Sequence, residues 1–426
     1  MTAAILTELD RSRIQRRTVG ILSLGQVLGG IAFGATVSLG ALLAADISGS
    51  DALSGLATAS VTLGAALAAI PLARLAGLRG RRLALTAGNL LALVGIVVVI
   101  GAAAIRVFPL LLVGIIMIGM GNAGNLQSRF AATDLAQPQH RGRDLSVVVW
   151  ATTIGGVAGP LLLGPGEQLG RAIGMPPHTG SYLFSLVAQI AAFALYLIAL
   201  RPDPLLTSRT LPETGSFAAG IERVDRPVAA RYAIFAIAGS HVTMASVMAM
   251  TPVHLSHMAM AGGTMAGGAM GGMDGMSMEL DVTVLVGVTI AMHVAGMYGL
   301  SPVFGILADR WGRLRTVLLG QALLVASLCF AMIVGETTWG VMVALILLGL
   351  GWSAATVAGA ALLTEASAPE LRTRRQGRSD SLMSLSAAGG AVLAGVILQS
   401  FSYAGLAIAA LIVVAAIVVL SPLGKR

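Results

Sequence analysis

Gly305–Arg313, which reads GILADRWGR, is the stretch that decides the fold. It joins two apolar runs, 282–308 and 317–334, each long enough to form a membrane-spanning helix. In this loop Gly305 would let two helices approach closely, and Asp309 would cap a helix and pair across the cytoplasmic contact between the two halves of the chain. The arginines would hold the helix ends on the cytoplasmic side of the membrane. The predicted conformational residues are Gly305, Asp309, Arg310, Gly312 and Arg313.

Apolar runs continue outward from this loop over nearly the whole chain. Of the 426 residues, 56% are hydrophobic and only 11% are charged, and the mean hydropathy is +0.87. Because a soluble protein carries about 25% charged residues, this composition excludes a soluble enzyme. The runs form two sets of six, which are 18–45, 53–76, 83–104, 108–130, 145–163 and 181–200, then 232–253, 282–308, 317–334, 340–363, 381–401 and 405–420.

The predicted architecture is an all-α membrane protein with twelve transmembrane helices in two six-helix halves. The N-terminal half comprises residues 1–200 and the C-terminal half residues 232–426. Between them lies 201–231, a stretch with four prolines and mixed charges. We interpret that stretch as a cytoplasmic linker.

Basic residues fix the predicted orientation. Arginines cluster in alternate loops, at 11–17, 79–82, 141–143, 201–231, 310–315 and 372–378. Since such loops stay on the cytoplasmic side, both termini are predicted to lie in the cytoplasm and the protein in a bacterial inner or plasma membrane. The net charge of +8 then reflects orientation in a lipid bilayer, and no nucleic-acid partner is predicted.

The sequence GILADRWGR resembles the signature loop of the major facilitator superfamily, which has the form G-x-L-A-D-R-x-G-R. The resemblance implies that the two halves rock against each other in an alternating-access mechanism. The equivalent loop of the first half, 75–82, keeps a glycine and arginines but has Gly77 in place of the acid. That loss argues against an ion pair where the N-terminal half meets its partner. Residues 155–160, GGVAGP, are similar to a glycine-rich motif of the fifth helix and are interpreted as helix packing rather than as part of an antiport mechanism.

Methionine and histidine are concentrated in one part of the C-terminal half. The stretch 241–297 holds twelve of the nineteen methionines and four of the six histidines. Thioether sulfur favours Cu(I), and imidazole binds several transition metals. The predicted substrate ligands are Met244, Met248, His293, Met297 and His241. Helical spacing places them on facing turns of the seventh and eighth spans, near the middle of the membrane.

The segment 254–281 is predicted to be an extracytoplasmic loop between these two spans. Its methionines and histidines would gather a soft cation and pass it to the ligands in the membrane, whereas the alternative is a low-complexity linker. The predicted capture residues are His254, His257, Met258, Met260, Met265, Met270, Met273, Met276 and Met278.

Two short patterns sharpen the family resemblance. Met244–Met248 has the form M-x-x-x-M and His293–Met297 the form H-x-x-x-M, and both resemble motifs of the CcoA-like bacterial copper importers within the superfamily. The resemblance implies copper uptake, with the first and last residues of each pattern as metal ligands. Copper is then the substrate rather than a cofactor, and copper chaperones are expected partners. The chain is expected to be monomeric and not an enzyme.

Other interpretations stay open. The chain could export drugs or other small molecules by proton antiport, or sense or deliver copper without transporting it, and a methionine stripe can be simple helix packing. No acidic residue is predicted near the middle of a span, so His241 or His293 could carry a coupled proton, and facilitated diffusion is equally compatible with the sequence. Arg129 is predicted to pair with Asp134 at the cytoplasmic end of the fourth span or to line the cavity. The sequence leaves open the transport direction, the coupling ion and the oxidation state of the metal.

Overall fold

The computed structural model describes residues 8–49, 55–176, 179–210, 225–266, 289 and 292–425. All regular structure within these ranges is helical and none is strand, which confirms the all-α fold. The N-terminal half and the linker contain α1 (Glu8–Ser48), α2 (Gly55–Arg79), α3 (Arg81–Ile105), α4 (Phe108–Ala131), α5 (Arg141–Leu161), α6 (Leu163–Ala172), α7 (Ser181–Ala194) and α8 (Pro204–Thr210). The C-terminal half contains α9 (Pro227–Ala266), α10 (Ser301–Trp311), α11 (Arg313–Ile333), α12 (Thr338–Glu365) and α13 (Pro369–Val419). Residues 292–298 are also helical and precede α10.

Eight helices within the described ranges are long and apolar enough to cross a membrane. Helix α12 shows why: it carries no charged residue from Thr338 to Thr364, and the Thr337 side chain caps its start by accepting a hydrogen bond from the Gly340 amide, at 3.2 Å. An uncharged run with a satisfied first turn suits a bilayer, where backbone groups must be paired within the helix. The chain is therefore a multi-pass membrane protein.

Helix α13 covers two of the predicted spans. The Ser386 hydroxyl donates to the Ala238 carbonyl of α9 at 3.2 Å, and Ile417 packs within 3 Å of where a Cβ on Gly239 would lie. Two residues 31 positions apart would be separated by about 46 Å in a straight helix, yet both contact the same turn of α9. Helix α13 must therefore turn back on itself, and its two legs correspond to the predicted runs 381–401 and 405–420.

The internal repeat seen in the sequence is also present in the backbone. Helices α3 and α11 each begin directly after a glycine, Gly80 with φ of 91° and Gly312 with φ of 102°. Only glycine adopts such a conformation without strain, and in both halves an arginine follows, Arg81 and Arg313. The two loops are thus structural counterparts despite the missing acid in the first.

The two halves meet at the end of the bundle that carries Arg81, Arg143 and Arg313, which we call the Arg-rich end. There the Ser381 hydroxyl of α13 donates to the Ala66 carbonyl of α2, and the Ser301 hydroxyl of α10 donates to the Ser146 carbonyl of α5, both at 3.2 Å. We call this surface between the halves the seam. The structure therefore represents a state in which the halves are closed against each other at the Arg-rich end.

Small residues allow close helix packing within the N-terminal half as well. A Cβ on Gly155 would lie 2.4 Å from the Val27 carbonyl oxygen and 2.9 Å from the Gly30 Cα. No side chain fits in that space, so α5 and α1 are in backbone contact at this glycine. The structure thus shows close helix packing at Gly155 of the 155–160 motif.

Helix α9 is longer than predicted. It continues to Ala266, so the prediction of a loop from residue 254 is wrong for residues 254–266, while 267–281 lie outside the described residues. Tertiary contacts stabilise the added turns: the His254 ring stacks on Tyr403 and bonds to a carbonyl, and Met258 packs against α12. Hydropathy alone misses these turns because glycine and histidine lower the local average. We call the end of the bundle where α9 ends and α12 begins the Met-rich end.

Candidate functional site

Three of the predicted thioether ligands lie inside the C-terminal half. Met244 and Met297 are 4% and 6% exposed, and both belong to one hydrophobic cluster with Leu348 and Trp352 of α12. Met248 is half-buried and packs against the same cluster. The seventh and eighth spans thus bring three sulfur-bearing side chains into one apolar environment.

His293 is held in a single orientation beside this cluster. Its side chain is fully buried, and its Nδ1 lies 2.7 Å from the Leu345 carbonyl oxygen of α12. Because a carbonyl can only accept, Nδ1 carries the proton and donates, which leaves the lone pair on Nε2 of the neutral ring. Nε2 is buried and has no hydrogen-bond partner among the described residues.

The hydrogen bonding of this neutral imidazole is of the kind seen in metal-ligating histidines. Ligating histidines characteristically donate their other ring N–H to a carbonyl or carboxylate, which fixes the tautomer and aims the free nitrogen. Gly349 makes the arrangement possible, because a Cβ there would lie 2.5 Å from the His293 carbonyl oxygen and 3.0 Å from the Met297 amide nitrogen. The eighth span therefore packs directly on the α12 backbone at the His293–Met297 turn.

His241 is placed differently from His293. The Trp352 indole N–H donates to His241 Nδ1 at 2.7 Å, and the two rings are 5.7 Å apart between centroids. An indole N–H can only donate, so the Nδ1 lone pair is already used and the proton of the neutral ring lies on Nε2. Of the two histidines predicted as ligands, His293 alone presents a free lone pair in this state.

Some of the predicted capture residues lie within the described part of the chain and others do not. His254 and Met258 lie on α9 with defined contacts to other elements. The backbone of α9 also carries His257, Met260 and Met265. The others, which are Met270, Met273, Met276 and Met278, lie outside the described residues. Within the described ranges, no three His, Cys, Asp or Glu side chains are grouped as a metal site.

The signature loop acts at the seam as predicted. Asp309 accepts hydrogen bonds from the Gly142 and Arg143 amides, at 3.0 and 2.9 Å, and pairs with Arg313 in its own half. A carboxylate at the first amides of α5 also interacts favourably with that helix dipole. Gly305 is needed because a Cβ there would lie 2.4 Å from the Gly142 carbonyl oxygen. The predicted close approach and the predicted capping role of Asp309 are both confirmed.

The predicted pairing of Arg129 with Asp134 is wrong. Arg129 instead forms an ion pair with Asp380 of the first leg of α13, and the two side chains are 3% and 0% exposed. Asp134 pairs with Arg81, whose Nε lies 2.8 Å from its carboxylate. Arg129 lies on the α4 face that meets the other half, so its nearest acid is 251 residues away along the chain rather than five.

The N-terminal half therefore has an ion pair at the seam after all. Arg81, in the loop that lacks the signature acid, bonds to Asp134 and also donates to the Gln376 side-chain oxygen of α13, at 2.8 Å. The expectation that Gly77 removes this pair is wrong, because a different acid supplies the charge. Asp380 adds a buried acid that the sequence predictions did not include, eleven residues into α13 and just before the predicted span 381–401.

Two functional residues, Asp380 and Gln376, were absent from the sequence predictions. They lie in the stretch RRQGRSDS, which precedes the predicted eleventh span and reads as a polar loop. The signal that could have found them is spacing. Gln376 and Asp380 are one helical turn apart, and so share the face that meets the N-terminal half.

Comparisons with known proteins agree with this architecture. The family model of the Major Facilitator Superfamily matches residues 22–278 and 273–425. The uncharacterized MFS-type transporter YdeG of Bacillus subtilis (strain 168) is 34% identical over 402 residues, covering 93% of this chain and 89% of that protein. The riboflavin transporter RfnT of Brucella anthropi is 28% identical over 393 residues, covering 90% of each chain.

A solved structure shows the same fold at low sequence identity. The crystal structure of the human organic anion transporter MFSD10 (TETRAN) superposes with a TM-score of 0.73 at 16% identity, over 96% of this chain and 99% of that one. The family match covers nearly the whole chain, and the paired loops, the seam and the two helical halves described above fit it. The protein therefore belongs to the major facilitator superfamily and is a membrane transporter.

Proposed function

We propose that the protein takes up copper, as Cu(I), across the membrane by alternating access. The observation that carries this proposal is the fully buried His293, whose Nδ1 is fixed by the Leu345 carbonyl and whose Nε2 has no partner among the described residues. Met297 follows one turn later, and Met244 lies in the same apolar cluster as Met297. A buried acceptor without a partner costs about 1–3 kcal/mol of folding free energy, and a metal ion bound to Nε2 would offset that cost.

The ligand chemistry favours Cu(I) over harder cations. Thioether sulfur and neutral imidazole are soft donors, whereas magnesium and calcium require carboxylate and carbonyl oxygens. The ligands carry no net charge, so a monovalent ion adds the smallest possible charge to a buried site. Leu348 and Val247 supply apolar walls to the same cluster.

The closed seam supports the alternating-access part of the proposal. Asp309 joins α10 to α5, and Arg129 joins α4 to α13, both at the Arg-rich end. Opening toward that end requires both contacts to part, while opening toward the Met-rich end leaves them intact. With the Arg-rich end in the cytoplasm, as its charge predicts, this state would receive copper from outside.

Copper uptake by cells expressing single variants tests the proposal. Under reducing conditions, His293→Ala and Met297→Leu are expected to lower the initial rate at least about tenfold, the scale on which changes around a metal site act. The matched control is Met292→Leu, one position before His293 but 40% exposed on the outer face of the helix. Uptake at the parental rate in both His293→Ala and Met297→Leu would overturn the assignment. Right-side-out and inverted vesicles then separate uptake from efflux.

Riboflavin uptake is a second candidate, favoured by the relative RfnT. The aromatic pair Tyr298 and Trp352, with centroids 5.7 Å apart, lies beside His241 and could stack a planar ring after rearrangement. Adding labelled riboflavin outside the same right-side-out vesicles and measuring its accumulation distinguishes the two. The substrate would be riboflavin rather than copper if the protein showed saturable riboflavin uptake and no copper uptake, and if Met297→Leu left the riboflavin uptake unchanged.

A further inference from the structure

The pattern His-x-x-x-Met occurs a second time, at His254–Met258 on the outer part of α9. A spacing of four places both side chains on one face of a helix, and residues 254–266 are helical in the structure. The second pattern therefore has the same local geometry as His293–Met297. It lies on the Met-rich side of Met248, about two to three turns further along the same helix.

His254 is fixed in the same manner as His293, with the ring nitrogens exchanged. Its Nε2 lies 2.7 Å from the Gly335 carbonyl oxygen, so Nε2 donates and Nδ1 holds the lone pair of the neutral ring. Its ring also stacks on Tyr403, with centroids 4.1 Å apart and planes only 3° from parallel. A carbonyl acceptor and a stacked ring together determine where the Nδ1 lone pair points.

Both patterns contact the same turn of α12. Met258 packs against Val341 and Leu345, and Leu345 supplies the carbonyl that holds His293. One member of each His-x-x-x-Met pair, Met258 and His293, therefore contacts Leu345, although the pairs are separated by a long stretch of sequence.

We propose that His254 and Met258 form a second Cu(I) site, which receives the ion at the Met-rich end and passes it across the Leu345 turn to His293 and Met297. The proposal rests on copper being the substrate and adds an entry site to it. Transfer is a ligand exchange, in which bonds from copper to His293 and Met297 form as those to His254 and Met258 break. Copper stays monovalent, and because both imidazoles use existing lone pairs, no proton is released.

Copper binding to the full-length protein in detergent tests the second site. The purified chain is titrated with Cu(I) under ascorbate against a chromogenic Cu(I) chelator, and the stoichiometry is compared with that of each variant. His254→Phe keeps a ring to stack on Tyr403 but removes the nitrogens, and Met258→Leu keeps the packing against Val341. Each is expected to bind one Cu(I) fewer than the parent, as is His293→Ala, and His254→Phe/His293→Ala two fewer.

Uptake measurements separate the second site from the first. His254→Phe is expected to raise the copper concentration at half-maximal uptake about tenfold, whereas His293→Ala lowers uptake at every concentration. Unchanged stoichiometry and unchanged half-maximal concentration in both His254→Phe and Met258→Leu would overturn the entry site while leaving copper transport intact. If the parent protein binds no Cu(I), the proposed function fails with it.

Discussion

The seam at the Arg-rich end and the cluster around His293 are both buried and polar, but their polar groups are satisfied in different ways. At the seam, Arg129 and Asp380 neutralise each other's charge, and Arg81 meets both Asp134 and Gln376. His293 is uncharged, and only one of its ring nitrogens has a partner among the described residues. The seam thus pairs its charges within the chain, although Arg129 Nε, Asp380 Oδ2 and Arg81 Nη1 also lack hydrogen-bond partners among the described residues. The His293 ring is uncharged and keeps a free lone pair.

The difference indicates what each region does. A buried ion pair is expensive to separate, because either charge left alone in a low-dielectric interior is strongly unfavourable. Such pairs suit a contact that must hold one state until something else releases it. A buried nitrogen without a hydrogen-bond partner is energetically unfavourable, and a reversibly bound ligand would remove that penalty. The seam is therefore suited to stabilising a conformation, and the proposed role of the His293 cluster is to bind the substrate.

The largest expected effect comes from breaking the seam pair. Asp380→Ala leaves Arg129 buried without its counter-charge, and losing one partner of a buried pair costs about 3–5 kcal/mol. Denaturation of the purified protein in detergent should show this loss. The exposed pair of Asp46 and Arg106, whose side chains are 41% and 58% exposed, supplies the control. Asp46→Ala is expected to change the free energy of unfolding by less than about 1 kcal/mol.

A double variant tests whether the charge itself is responsible. Replacing both partners, as Arg129→Met with Asp380→Leu, removes the unpaired charge and should recover most of the stability lost in Asp380→Ala. Parental stability in the single variant would contradict the account of the seam, because Arg129 would then have another acceptor.

Local motifs made parts of the seam predictable. Asp309 and Gly305 belong to one contiguous loop, and their roles follow from side-chain chemistry and helix packing. Asp380 could not be paired with Arg129 in advance, because the two are 251 residues apart and their meeting depends on how the halves dock. Hydropathy also hides Asp380, since the helix that buries it starts in a polar stretch that the other half covers.

The candidate site was predictable in composition but not in orientation. Residue type and helical spacing identify Met244, His293 and Met297, and their helices bring the two methionines together. The partner that orients His293 is a backbone carbonyl, and every residue of α12 has one. The sequence therefore does not indicate that the Leu345 carbonyl, rather than a neighbouring one, accepts the hydrogen bond from His293. Nor does it indicate that the Trp352 indole donates to His241 Nδ1.

A smaller effect is expected at the linker, where an ion pair is partly exposed. Asp225 accepts two hydrogen bonds from Arg375, at 2.5 and 2.7 Å, and one from the Ala368 amide, at 3.0 Å. The Arg375 hydrogen bonds, with a smaller contribution from the Ala368 amide, lower the pKa of Asp225 from its ordinary value of 3.8. The unfolded chain therefore takes up a proton at higher pH than the folded one.

The sign of the pH dependence follows from that lowered pKa. The stabilisation is complete above the unfolded value near 3.8 and is lost as the pH falls through the lower folded value. Compared with the parent, Asp225→Asn should be less stable by up to about 1 kcal/mol at pH 7, and the difference should shrink below about pH 4. Unfolding curves measured from pH 3 to pH 7 check this. A difference that grows on acidification would mean that the pair is not what stabilises the linker.

The smallest expected effect on stability is the most informative about the comparison. His293→Leu removes the unpaired Nε2 along with the hydrogen bond to Leu345, and an apolar side chain of similar size fits the surrounding cluster. The two changes oppose each other, so the free energy of unfolding should stay within about 1 kcal/mol of the parent. The two proteins should differ in their response to Cu(I). Because a ligand that binds only the folded state stabilises it, Cu(I) should raise the melting temperature of the parent and raise that of the variant far less. If His293→Leu instead destabilised the apoprotein as much as Asp380→Ala does, the imidazole would be a structural element like the seam pairs. The contrast between the charge-paired seam and the free lone pair of His293 would then fail.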